Sequence, residues 1–178
     1  MQHQFLVEGM YFTPTNFSNI VNIACRLKRF QWATYFIQAY QIHLPLNVRE
    51  SATQISFAMI HFEQAEFEKT LEQLQHLEYA DTFYDLRARA LRLRCYLELK
   101  ESTSLILHYC RSFEQFIRRN RRIKGNNAEA SFHFIQLIKD IARQKAKKEE
   151  LQAYLDTAQP LFFKTWLQEK INAYKQIN

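Results

Sequence analysis

The chain has little of the punctuation that sheets and nucleotide-binding loops need: 2 glycines and 3 prolines in 178 residues. Together these two residue types usually make up roughly 12% of a protein. Tight turns between strands draw on Gly, Pro, Asn and Asp, so a nearly glycine-free chain reads as helical. The same scarcity argues against a glycine-rich phosphate loop or a dinucleotide-binding fold. Cys25, Cys95 and Cys110 are an odd count with no C-x-x-C pair. They read as reduced, partly buried thiols in a reducing compartment. No apolar run approaches the ~18 residues of a membrane span. The start, MQHQFLVEGMYF, has neither a basic leader nor the apolar stretch of a signal peptide, so a cytoplasmic location is expected.

What is present is a globular composition, 47% hydrophobic with a formal charge of +6, enough for one domain with a real core. Apolar residues recur at helical spacing almost throughout. The spacing predicts helices at about 16–28, 31–43, 48–63, 66–78, 82–99, 102–119 and 127–145, and a last segment at about 148–176 broken or kinked at Pro160. Thr13 or Thr15 is the expected first cap, Asp81 or Thr82 the fifth, and Ser102 the sixth. Leu44-Pro45 stops the second helix, because a residue before proline avoids the α region.

Short links between helices of this length favour antiparallel hairpins. The expected hairpins span about 16–45, 48–79, 82–122 and 127–176, after an N-terminal extension of residues 1–15. RFQWATYFIQAY, EFEKTLEQLQHL and ESTSLILHYCRS each begin a second helix. Aligning Phe30, Phe67 and Ser102 gives offsets of 37 and 35 residues. In the fifth helix Phe83, Leu86, Ala90, Leu93 and Leu97 share one face, and Tyr84, Ala88, Leu91, Cys95 and Leu99 a second. A helix apolar on two faces is packed from two sides, as in a stacked array.

At these residues the chain resembles tetratricopeptide-type repeats, one helix hairpin per repeat of about 34 residues. The best match is AMIHFEQAEFEKTLEQL, with Ala58 at a small first-helix position, Ala65 at the turn, then Phe67 and Thr70. The pattern NFSNIV, RLKRFQWATYFI and LP, followed by hairpins and KTWLQEKI, is also similar to the C-terminal part of large bacterial helical-repeat proteins of unknown function. The sequence departs from the pattern in lacking glycine at the turns and in carrying Leu93 one repeat after Ala58. The resemblance implies an all-α stack of three to four antiparallel helix hairpins, a TPR-like α-solenoid. It implies an interaction scaffold and supplies no catalytic residue. The first dozen residues read as continuing an upstream repeat, so the chain is expected to be the end of something longer.

In such arrays the first helix of each hairpin lines the concave side. The polar residues this places in a groove are Asn19, Asn22, Arg26, Arg87 and Arg94. The three arginines would clamp an acidic segment or a C-terminal carboxylate of a protein or peptide partner by bidentate hydrogen bonds. Simple solvation of the groove is the competing reading.

The other candidate is the run FIRRNRRIKGN. Residues 50–86 hold eight acids and one base, whereas 87–124 hold eleven bases and three acids. Arg118, Arg119, Arg121, Arg122 and Lys124 therefore form an alternative site for RNA or DNA backbone. Phe113 and Phe116 stand nearby, but at core spacing. The plainer reading makes the run a helix terminus, where cations suit the C-terminal dipole and Gly125 or an Asn suits a left-handed cap.

Trp32 and Trp166 read as packing anchors between hairpins. A lesser alternative makes Trp166, Phe162, Phe163 and Tyr174 an open apolar end. The six histidines include no H-E-x-x-H or H-x-x-x-H pair, so no metal is expected. No G-x-S-x-G elbow or clustered acid, base and nucleophile appears, so neither an enzyme nor a cofactor is expected.

Overall fold

A computed structural model describes residues 13–75 and 81–175. The described residues are helical, with no strand among them: α1 (Pro14–Arg26), α2 (Phe30–Tyr40), a 3-10 turn (Gln41–His43), α3 (Leu46–Glu63), α4 (Phe67–Gln75), α5 (Thr82–Glu98), α6 (Thr103–Arg119), α7 (Asn126–Arg143), α8 (Lys148–Thr157) and α9 (Lys164–Asn172). The expected all-α class is what the chain adopts. Residues 76–80, where the expected fourth helix was to end, lie outside the described residues, as do 1–12 of the expected extension and 176–178.

Local chemistry sets the boundaries. Thr13, not Thr15, caps α1, its hydroxyl accepting from the Asn16 N–H at 3.1 Å. Pro14 follows at the first helical position, where its missing N–H costs nothing. Asp81, not Thr82, serves α5, its carboxylate accepting from the Phe83 N–H at 2.8 Å. Ser102 caps α6 through the Leu105 N–H at 3.3 Å. The last segment is divided rather than kinked, into α8 and α9 on either side of Pro160.

Two compact units divide within α5, after Tyr84. In the first, α1 packs on α2 and α3, and α3 packs on α4. Ser51, Ala52, Ser56 and Ala58 are buried small residues on α3, which allow the neighbouring helices to approach closely. Phe17 and Phe36 fill the core with ring centroids 5.3 Å apart. Trp32 does not take the expected anchoring position. It stacks on Phe36 of its own helix and remains 41% exposed. The Arg49 guanidinium closes the link before α3 by donating to the Ile42 carbonyl at 2.7 Å and the Leu44 carbonyl at 3.0 Å.

In the second unit α5 and α6 meet at Arg89 on Phe116 and at Tyr96 on Tyr109. Numbering thus falls along α6 as it rises along α5. Residues of both apolar faces of α5 are buried, including Leu86, Ala90 and Leu93 on one and Ala88, Leu91 and Cys95 on the other. Lys139 of α7 pairs with Glu114 of α6 at 2.5 Å. Gln152 of α8 and Gln168 of α9 exchange side-chain amide bonds at 3.0 and 2.6 Å. Phe134 of α7 meets Phe163 edge-on.

One turn recurs three times. Lys28, Ala65 and Lys100 follow α1, α3 and α5 with φ of 56°, 60° and 54°. In each, the next residue donates its N–H five residues back: Arg29 to Ala24 at 2.9 Å, Glu66 to His61 at 2.9 Å and Glu101 to Tyr96 at 3.0 Å. The turn residue itself donates to Cys25, Phe62 and Leu97 respectively. This paired pattern satisfies carbonyls that the helix end would otherwise leave bare. The three left-handed residues are 37 and 35 positions apart, the same offsets that separate Phe30, Phe67 and Ser102 in the sequence. None of the three is glycine.

Candidate functional site

The arginine run is built on the end of α6. Arg118 and Arg119 occupy the last helical turn, where positive charge offsets the partial negative charge of the helix terminus. The expected left-handed cap is absent. Asn120 is extended, with φ −101° and ψ 99°, and its side-chain oxygen accepts from the Arg122 N–H at 3.3 Å. Gly125 serves the next helix instead. It is the residue before α7, with φ 54° and ψ −140°, a conformation nearly restricted to glycine.

Between these points the loop is held by one apolar side chain. Ile123 is buried, while Arg121, Arg122 and Lys124 are exposed. The arginines of the run are not equivalent. The Arg118 guanidinium lies over the Phe132 ring of α7 at 5.2 Å. Arg119 points elsewhere and lines a solvent-open cavity of about 280 Å³ with Arg89, Ser112, Gln115, Phe116 and Asn120. Ser112, Gln115 and Arg119 are spaced i, i+3 and i+7, one face of α6. Arg89 is already committed: it donates to Asp85 at 2.8 Å and covers the Phe116 ring at 4.2 Å. The cavity therefore has one neutralised arginine, one unneutralised arginine and three neutral hydrogen-bonding side chains, of which Asn120 already accepts from Arg122.

The expected groove set divides between the two units, Asn19, Asn22 and Arg26 in the first and Arg87 and Arg94 in the second. Asn19 and Arg26 are exposed on α1, and Asn22 is half-buried there. Arg87 is exposed on α5. Arg94 is not a groove residue. It is 6% exposed, and its guanidinium lies 4.5 Å from the Phe163 ring centre and 5.0 Å from that of Trp166. The clamp assigned to Arg94 is thus blocked by aromatic cover contributed by a segment some seventy positions downstream.

The suspected apolar end is covered only in part: Phe163 remains exposed and Phe162 and Tyr174 half-buried. Trp166 is 8% exposed, and its indole N–H donates to the Glu98 carboxylate at 2.6 Å. The Tyr174 hydroxyl donates to the Ala146 carbonyl at 2.8 Å.

Several titratable groups elsewhere are occupied by structure. Burial pushes the Cys25 thiol up to about 11 and the Cys110 thiol up to about 12, which removes the thiolate that a nucleophile or metal ligand needs. Burial likewise raises the Tyr109 hydroxyl. His61 meets the Glu66 carboxylate at 2.7 Å across the α3–α4 turn, and His133 meets the Tyr154 hydroxyl at 2.8 Å. Among the described residues no three His, Cys, Asp or Glu side chains are grouped to hold a metal. No helix among them is long and apolar enough to cross a membrane.

Arg119 belongs to the set read from the sequence. Arg89, Ser112, Gln115, Phe116 and Asn120 do not, although the 112, 115, 119 spacing on an amphipathic helix was visible. No protein-family model, curated protein or solved structure matches the chain.

Proposed function

We propose that this chain is a non-catalytic helical-repeat module that binds a protein segment, its hairpins stacked antiparallel in the manner of tetratricopeptide arrays. The recurrence of one helix-ending turn at Lys28, Ala65 and Lys100 carries the repeat part of the reading. The packing of α1 on both α2 and α3 accords with it, since each hairpin of an array covers the next. The three buried cysteines, none of them in a disulfide, suit a reducing, cytoplasmic setting.

The binding part rests on the cavity beside the basic loop. Charged side chains with no intramolecular counter-ion attract an oppositely charged partner and speed its encounter. A peptide displayed as a library and panned against the intact chain tests this. Enrichment of acidic sequences that bind saturably and compete with one another supports the reading. No enrichment at low or moderate salt overturns it.

The second reading is RNA or DNA backbone binding, favoured by the exposure of Arg121, Arg122 and Lys124 on one loop. Its mark would be affinity that falls steeply with salt, without regard to sequence.

A further inference from the structure

We infer that the cavity lined by Arg89, Ser112, Gln115, Phe116, Arg119 and Asn120 seats a carboxylate of an acidic peptide, with Arg119 as its principal anchor. The inference rests on the binding-module reading above and names the chemistry of its partner. Arg119 is the one cation of the cavity not already neutralised, since Arg89 is bonded to Asp85 at 2.8 Å. One net positive charge matches a single carboxylate. The planar guanidinium meets a carboxylate with two parallel hydrogen bonds. Ser112 and Gln115, on the same face of α6, supply further donors for the remaining lone pairs. The volume of about 280 Å³ admits an acidic side chain or a chain end.

Nucleic acid fits the cavity less well. Single strands are held by bases stacking on free aromatic faces beside the cations. The only aromatic here is Phe116, and the Arg89 guanidinium already covers it at 4.2 Å. The loop cations Arg121, Arg122 and Lys124 sit outside the cavity. Their contribution is long-range attraction of acids that flank the seated one, which salt screens.

The test is fluorescence anisotropy on the full chain, with a labelled glutamate decapeptide and an equally long labelled oligouridylate as probes. Saturable peptide binding is expected to weaken roughly tenfold or more in Arg119→Gln. Arg119→Lys keeps the charge but not the fork, and most of the loss is expected to remain. Gln115→Ala is expected to cost about threefold. Arg121→Gln with Arg122→Gln is expected to cost a similar amount, and only at low salt.

Peptide binding unchanged in Arg119→Gln and Gln115→Ala would overturn the cavity assignment while leaving the module reading standing. Full retention in Arg119→Lys would do the same, by reducing the cavity to diffuse charge. Tighter binding of the oligouridylate, weakened equally by any one of the arginine variants, would overturn it in favour of backbone attraction. Binding of neither probe at low salt would remove both the cavity assignment and the acidic-partner reading.

Discussion

The indole N–H of Trp166 donates to one oxygen of Glu98 at 2.6 Å, and the other oxygen of the same carboxylate accepts from Lys170 at 2.5 Å. One side chain of α5 thereby fixes two successive turns of α9. Arg94, one turn before Glu98, lies over the Trp166 ring. Attachment of the last helix is therefore polar and aromatic at once.

Glu98→Ala leaves a buried indole N–H without its acceptor and releases Lys170. A buried donor left unmade costs about 1–3 kcal/mol. Chemical denaturation should show a loss in that range, with a red-shifted Trp166 emission. Glu98→Gln keeps an acceptor for the indole and should lose less. An unchanged midpoint for Glu98→Ala would mean that α9 is held by its apolar contacts alone.

Ala65 occupies a left-handed conformation with φ 60°, where a side chain crowds the backbone by about 1–2 kcal/mol. Ala65→Gly removes that crowding and loosens the unfolded chain slightly. The expected net gain is about 0.5–1 kcal/mol, read as a raised melting temperature. Gly125→Ala should act in the opposite direction by about 1–3 kcal/mol. Nothing stands within 4 Å of the added methyl group, so that loss would come from the backbone alone.

The three cysteines are buried. N-ethylmaleimide at neutral pH should leave the folded chain unlabelled and modify all three once it is denatured. Fast labelling of Cys25 or Cys110 in the folded chain would contradict the raised thiol values near 11 and 12.

The Lys69 hydrogen bond, and behind it that of His61, lowers the Glu66 carboxyl from its ordinary value of 4.5. Folding therefore favours the charged form. The contribution is complete above pH 4.5 and is lost as the pH falls through the lowered folded value. Glu66→Gln should melt below the parent chain at neutral pH, and the gap should close on acidification. A gap that widens as the pH falls would refute the assignment.

Helix existence was legible because it depends on nearest neighbours. Thr13 and Ser102 are cap residues whose effect is spent within three positions, and Pro45 and Pro160 break helices wherever they stand. The three recurrent turns were silent because Lys28, Ala65 and Lys100 carry none of the glycine signal that usually marks a left-handed cap. Gly125 was visible but attached to the wrong helix, since one glycine between two helices serves either end equally well on paper. Arg94 misled for a different reason: what covers it comes from Phe163 and Trp166, and no local pattern reports a contact of that range. In the arginine run, composition announced the charge. Only the packing of α6 on α7 separates Arg118, which lies over Phe132, from Arg119, which lines the cavity.

The burial of Ile123 has a consequence for how this surface can change. A loop whose sole packed residue lies among its cations is fastened independently of its charge. Arg121, Arg122 and Lys124 can be exchanged, even reversed in sign, while the helices on either side keep their places. Sequence drift at those three positions would retune what the surface attracts and leave folding untouched, so long as Ile123 between them keeps its apolar side chain.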